Sequence, residues 1–198
     1  MASPQTLLQL AGAKPSVPRF SEAALVIIDA QGEYRTGRLP LAGIEAAVEV
    51  LAGLLDRARR AGGPIIHVVH RGKPGGLFDP ETESGRILPE LAPRAGERVV
   101  EKTLPNAFAA TDLDAHLSGL GRPPLIVSGF MTHMCVSSTV RAALDLGHVT
   151  SVVRDAVATR DLPGASAAEI VSAAVLNAAT LAALADRFAT VLDSSSLE

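Results

Sequence analysis

Leu125-Ile126-Val127-Ser128-Gly129-Phe130-Met131-Thr132-His133-Met134-Cys135-Val136-Ser137-Ser138-Thr139-Val140-Arg141-Ala142-Ala143-Leu144 reads as a buried strand that turns tightly into a helix. The apolar run Leu125-Ile126-Val127 suits a strand covered on both faces, and Gly129 ends it where the backbone turns sharply. Val136, Val140, Ala143 and Leu144 then recur at helical spacing, which puts the only cysteine of the chain, Cys135, in the first turn of that helix. A thiol there meets unpaired backbone N–H groups and the positive end of the helix dipole, and both favour thiolate over thiol. A nucleophile belongs at such a place. So does a small buried hydrophobe, and local position alone does not choose between them.

Outward from this stretch the chain alternates between strand and helix signals. Ala24-Leu25-Val26-Ile27-Ile28 is wholly apolar and stops at Asp29, as a central parallel strand with a carboxylate at its C-terminal end would. Gly32–Pro40 is loop; Ile44–Ala61 carries apolar residues at helical spacing, with Gly62-Gly63 as its stop signal. Ile65–His70 predicts a second strand, followed by a Gly- and Pro-rich loop over Arg71–Pro80 and a short helical piece within Ser84–Leu91. Val99–Lys102 predicts a third strand, Asp112–Leu120 a helix ended by Gly121, and Val149–Val153 a fifth strand after the central one. Ala165–Ala185 is expected to be a long alanine-rich helix and Ala189–Leu192 a sixth strand. This alternation defines an α/β protein with a doubly wound sheet. Residues 1–20, with Pro4, Pro15 and Pro18, are expected to lie as an arm over one domain spanning 21–193, with a short helix around Thr6–Ala11 and a tail at 194–198.

Composition narrows the class. In 198 residues, 47% are hydrophobic and 20% charged, with no Trp and one Tyr, so the core is aliphatic. The net charge of −3 includes no basic tract, which argues against nucleic-acid or anionic-membrane partners and favours small molecules. A single cysteine excludes an intramolecular disulfide and is compatible with a reducing cytoplasm. Leu7–Ala13 is too short for a signal peptide and no run approaches a membrane span.

In a doubly wound sheet the C-terminal strand ends share one edge, and the site forms in the crevice where strand order reverses. Asp29, Lys102 and Cys135 all fall at or just beyond such ends. A carboxylate to take a thiol proton, an ammonium to stabilise thiolate, and the thiol itself make a nucleophilic set. Taken singly, Asp29 also suits a backbone cap and Lys102 a solvated surface.

Val26-Ile27-Ile28-Asp29-Ala30-Gln31, then Glu101-Lys102-Thr103 with Phe108 downstream, then Ser128-Gly129-Phe130-Met131-Thr132-His133-Met134-Cys135-Val136-Ser137-Ser138-Thr139, resemble the isochorismatase-like cysteine hydrolases in order and spacing. The Gly-x-x-Thr-x-x-Cys-Val-x-x-Thr stretch is the most specific part. The resemblance implies a six-stranded parallel sheet ordered 3-2-1-4-5-6 with helices on both faces, a triad of Asp29, Lys102 and Cys135, and homo-oligomers. It further implies cleavage of a carbon–nitrogen bond through a thioester, an oxyanion hole made by the backbone N–H groups of Met131 and Cys135, and a cis peptide bond between Phe130 and Met131. Gln31, Tyr34, His70, Phe108, Phe130 and His133 are candidate pocket residues.

One departure bears on metal. Nicotinamidases carry an Asp-x-His metal group after the second strand, where this chain reads His70-Arg71-Gly72, a departure that argues against nicotinamide and its metal site; no cofactor is expected. His67 and His70 are an odd interval apart and so point to opposite faces of a strand, His67 as a hydrogen-bonded core histidine and His70 near the crevice. Isochorismatases proper generally lack the nucleophilic cysteine, so Cys135 places the chain in the amidase-like branch of the resemblance. Two readings from other classes stand beside it: a non-catalytic small-ligand binder on the same fold, and a thiol redox protein, which lacks a Cys-x-x-Cys partner.

Overall fold

The structure, a computed structural model, describes residues 3–13, 17–166 and 168–198. Five strands follow the apolar runs: β1 (Ala24–Ile28), β2 (Ile65–His70), β3 (Arg98–Lys102), β4 (Leu125–Phe130) and β5 (Thr150–Ala158). Two short strands, β6 (Leu162–Pro163) and β7 (Ile170–Val171), pair antiparallel as a separate hairpin, and β8 (Thr190–Leu192) completes the main sheet. That sheet is parallel and six-stranded, ordered β3-β2-β1-β4-β5-β8, which is the expected order with β8 as its sixth strand.

Alternation along the strands divides the interior into two layers. Leu25, Ile27, Ile65 and Ile126 face α2 (Ile44–Ala61), which buries Ile44, Ala47, Val48, Leu51, Leu54, Leu55 and Ala58 on one stripe and ends at Gly62 in the left-handed region. Val26, Ile28, Ile66, Val68, Val100 and Val127 face the opposite layer, built by α3 (Leu113–Gly119), α4 (Ser137–Asp145) and α5 (Ala173–Arg187). Helices therefore cover both faces. The first helix, α1 (Leu7–Leu10), is capped by Thr6 through a capping box with Gln9 and is anchored where the Leu7 N–H donates to Asp186 on α5 (2.8 Å).

Two expectations are corrected. The long helix starts at Ala173, not Ala165. Ser172 caps it and Asp161 accepts from the Ala173 N–H (2.7 Å), while the β-branched pair Ile170-Val171 goes into the hairpin; alanine content had masked this boundary, and Ala167 lies outside the described residues. The central strand runs one residue past Gly129, which holds φ +107° close against Ile28 because it lacks a Cβ; one there would meet the Ile28 carbonyl oxygen at 2.1 Å. At the C-terminus, Arg57 donates to the carbonyls of Ser194 (2.8 Å) and Leu197, and Leu197 is buried in the α2 layer. Among the described residues no helix is long and apolar enough to cross a membrane.

Candidate active site

Strand order reverses between β1 and β4, and the crevice at their C-terminal ends holds the candidate site. Asp29 follows the last residue of β1 in the left-handed region (φ 48°), which Asp tolerates better than most side chains. Its N–H donates to the Val68 carbonyl (2.9 Å), so the backbone stays tied to β2 while the chain turns away. Cys135 lies beyond β4 in a π-helical turn, Thr132–Val136, that precedes α4. It is therefore not in the first α-helical turn, as its spacing had implied. The wider π turn inserts a residue where strand becomes helix, a device common at functional sites.

Lys102 comes from farther away. It ends β3, two strands from β1, so only a long side chain can span the end of β2 and reach Asp29. Its ammonium donates to Asp29 Oδ2 at 2.7 Å and to Cys135 Sγ at 3.3 Å, and lies 3.2 Å from His70 Nδ1. The side chains of Lys102 and Asp29 are both wholly buried, and Cys135 is 5% exposed. Asp29 Oδ1 is buried with no hydrogen-bond partner among the described residues. Burial raises the Asp29 pKa above the ordinary carboxylate range, with Lys102 opposing that shift. Burial also pushes the Cys135 thiol up to about 12, with the Asp29 carboxylate adding to the rise and Lys102 working against it. The direction is thus opposite to the depressed thiol expected from helix position: desolvation of the buried sulfur, with the Asp29 carboxylate, outweighs the ammonium.

Aromatic rings pack as a wall beside these groups. His70 packs on Phe78 (5.0 Å between centroids), Phe78 on Tyr34 (5.2 Å) and Tyr34 on Phe130 (5.9 Å). The Tyr34 pKa is pushed up by burial and further by Asp29 and Cys135, so the phenol stays neutral. Glu33, also buried, accepts from the N–H groups of Arg38 (2.6 Å) and Phe78 (3.2 Å) and so joins the two loops that carry this wall. His133 meets Thr159 Oγ1 through Nδ1 (2.6 Å), and its pKa is lowered by burial and by Arg160. Beyond it a cavity of about 380 Å³ opens between the loops after β1 and β5, lined by Arg38, Leu39, Pro40, Ala42, Arg160 and Asp161.

Two candidates take other places. Gln31 is neither exposed nor free to meet a substrate: its Oε1 accepts from the His70 N–H (2.8 Å) and its Nε2 donates to the carbonyls of His70 (2.9 Å) and Gly85 (2.6 Å). The Phe108 ring stacks on His148 (5.5 Å), just ahead of β5 and so near the opposite edge of the sheet from Cys135. The resemblance put it at the crevice, but the chain turns back first, where the Ala107 N–H donates to Thr139 on α4 (3.0 Å). Sequence reasoning missed Glu33. Its type suggested solvent, and no local signal says that it turns inward; in the fold it lies so close to Gly37 that a Cβ there would come 2.6 Å from the Glu33 Cα.

The Phe130–Met131 peptide bond is cis. The Met131 carbonyl accepts from the N–H groups of Met134 (3.0 Å) and Val136 (3.2 Å), while the Met131 N–H finds no acceptor among the described residues.

A sheet of this order is the architecture of the isochorismatase-like hydrolases. The isochorismatase domain model matches residues 23–196, and the chain belongs to that family of hydrolases. It is 41% identical to a secreted isochorismatase effector of Verticillium dahliae, over 94% of this chain and 95% of that protein. A crystal structure of an isochorismatase from Pseudomonas putida superposes with a TM-score of 0.94 at 46% identity, covering 99% of this chain and all of the other (100%). Maleamate amidohydrolase from Pseudomonas putida is 33% identical over 69% of this chain and 72% of its own length.

Proposed function

We propose that the protein hydrolyses a carbon–nitrogen bond of a small amide or carbamoyl compound through a Cys135 thioester. The observation that carries this reading is the buried ammonium of Lys102 set between Asp29 Oδ2 and Cys135 Sγ. A maleamate amidohydrolase among the relatives supports the bond type.

With a thiol held up to about 12, little free thiolate awaits the substrate, so attack and proton transfer have to be coupled. As Cys135 Sγ bonds to the carbonyl carbon, its proton passes to Asp29, whose raised pKa makes it a stronger base than an ordinary carboxylate. The carbonyl electron pair moves onto oxygen and is met by the N–H groups of Met131 and Cys135, each such donor being worth on the order of 10²–10³ in rate. Collapse re-forms the carbonyl, breaks the C–N bond and returns the proton from Asp29 to the leaving nitrogen. Water then adds to the thioester with Asp29 again as base, releasing the acid and the thiol. Lys102 stays cationic throughout and offsets whichever neighbour carries the negative charge.

Tyr34, His70, Phe130 and His133 line the substrate side in this reading, and neither metal nor other cofactor takes part. The protein acts in the cytoplasm, where a lone thiol stays reduced, and as a homodimer or larger assembly, with exposed alanines of α5 available for close helix packing. Cell fractionation and light scattering check these two points. The decisive test is a panel of small amides, carbamoyl compounds and hydroxamates, assayed for release of ammonia or amine. Turnover of at least one compound, lost in Cys135→Ala, is expected; turnover that survives Cys135→Ala would overturn the thioester route.

A further inference from the structure

We propose that His70 is a positioning residue: its neutral imidazole is the third acceptor of the Lys102 ammonium and holds that group between Asp29 and Cys135. The inference rests on the Asp29-Lys102-Cys135 reading and adds a fourth member to it.

The sheet brings the two side chains together. His70 and Lys102 are register partners at the ends of the parallel strands β2 and β3, so both project from the same face. The parity that puts His67 on the α2 side puts His70 on the Cys135 side. To reach Asp29 the lysine must pass over the end of β2, where His70 stands.

An ammonium carries three N–H donors and no acceptor. Around Lys102 Nζ the described residues place three acceptors, one for each proton: Asp29 Oδ2 at 2.7 Å, His70 Nδ1 at 3.2 Å and Cys135 Sγ at 3.3 Å. The Lys102 side chain has no solvent exposure, so water does not replace a lost acceptor, and an unmatched N–H would turn toward the other two or leave the site. Nδ1 can accept only in the neutral tautomer that carries its proton on Nε2. Burial and the Lys102 charge together bring the His70 pKa down to about 4, which keeps the ring neutral across the physiological range.

The ring is itself held from several sides. Gln31 clamps the His70 N–H and carbonyl, the Arg71 N–H donates to the Lys102 carbonyl (2.8 Å), and Phe78 packs on the ring. The amide of Gln31 thus acts on catalysis at one remove, by fixing the residue that fixes the lysine.

The test measures Cys135 alkylation by iodoacetamide as a function of pH in the wild type, His70→Leu, His70→Asn and Lys102→Met. His70→Leu fills the space without an acceptor and should slow alkylation about tenfold at a given pH, by raising the apparent thiol pKa. His70→Asn offers an amide oxygen near the position of Nδ1 and should recover most of that loss. Wild-type behaviour in His70→Leu, or equal loss in His70→Leu and His70→Asn, would overturn the role. Lys102→Met separates the two levels of argument. If it leaves alkylation unchanged the triad reading itself fails; if it slows alkylation while His70→Leu does not, only the role of His70 fails. Nitrogen-15 shifts of the imidazole in the wild-type protein need no variant to fold: the neutral Nε2–H tautomer is expected at neutral pH, and an Nδ1–H tautomer or an imidazolium would overturn the inference.

Discussion

Two carboxylates flank β2, and the structure treats them in opposite ways. Glu97 lies on the α2 side and is saturated with donors: Arg59 Nε (2.7 Å) and a second Arg59 nitrogen (3.0 Å), His67 Nε2 (2.8 Å) and the Arg94 N–H (2.9 Å). Burial alone would raise its pKa, but Arg59, Arg94 and His67 together bring it down to about 2. Asp29, on the other side, has one ammonium on Oδ2 and no hydrogen-bond partner on Oδ1 among the described residues, and burial moves its pKa the other way. A carboxylate whose acceptor sites are all taken has no capacity left for a proton in transit. A half-satisfied one has, so incomplete solvation in a dry crevice marks the chemical site more sharply than charge pairing does.

The sharpest way to break this contrast is to neutralise each carboxylate. Asp29→Asn should reduce turnover by roughly 10²–10⁴, since it removes the proton acceptor while keeping the side-chain volume. Glu97→Gln should leave turnover within about twofold and instead lower stability by roughly 1–3 kcal/mol, as Arg59 and His67 lose a charged acceptor. Steady-state kinetics with a substrate from the amide panel, paired with urea unfolding, reads both. Equal kinetic losses in the two variants would dissolve the distinction.

A second pair of substitutions sharpens the electrostatics at the sulfur. The Asp29 carboxylate raises the thiol pKa and the Lys102 ammonium lowers it, so Asp29→Asn should bring the apparent thiol pKa down from about 12 while Lys102→Met carries it higher. Asp29→Asn would then alkylate faster than the wild type and yet turn over more slowly. Alkylation slowed by Asp29→Asn would mean that the carboxylate assists thiolate formation at rest, contrary to the geometry proposed.

A smaller effect concerns acid stability. Glu97 has a folded-state pKa below its unfolded value, so its stabilisation is fully present above the ordinary carboxylate range and is lost as pH falls toward about 2. His67, whose pKa is lowered chiefly by burial, adds to the loss once pH drops below the ordinary histidine value. Thermal midpoints recorded across this range should fall less steeply in Glu97→Gln than in the wild type; parallel curves would remove Glu97 as the source.

What the sequence made legible follows from what local pattern encodes. β1, α2 and β2 occupy the predicted ranges, because apolar runs and a helical stripe ended by glycine are local signals. The resemblance supplied the sheet order and the residues that the crevice brings together. Burial was not legible. A helix-start argument sees dipole and charge but not the dry surroundings of Cys135, which reverse the sign of its shift. Register was not legible either: nothing in the spacing of His70 and Lys102 says that they are cross-strand partners, and nothing near Phe108 says that its ring turns to His148.

The smallest expected effect is none at all, and it tests the same contrast from the side of His70. A metal held in the manner of the nicotinamidases needs side-chain donors after β2, and the positions there are His70, Arg71 and Gly72. Gly72 has no side chain, and the Arg71 guanidinium, which pairs with Glu101 (2.9 Å), repels a cation. His70 offers Nδ1 to the Lys102 ammonium 3.2 Å away, so a cation on that nitrogen would have to displace one positive charge with another. Chelation followed by dialysis should therefore leave turnover unchanged, with elemental analysis finding less than one metal ion per chain. Stoichiometric zinc with chelator-sensitive turnover would show that His70 turns away from Lys102 to bind metal, and the ammonium would then need a different third acceptor.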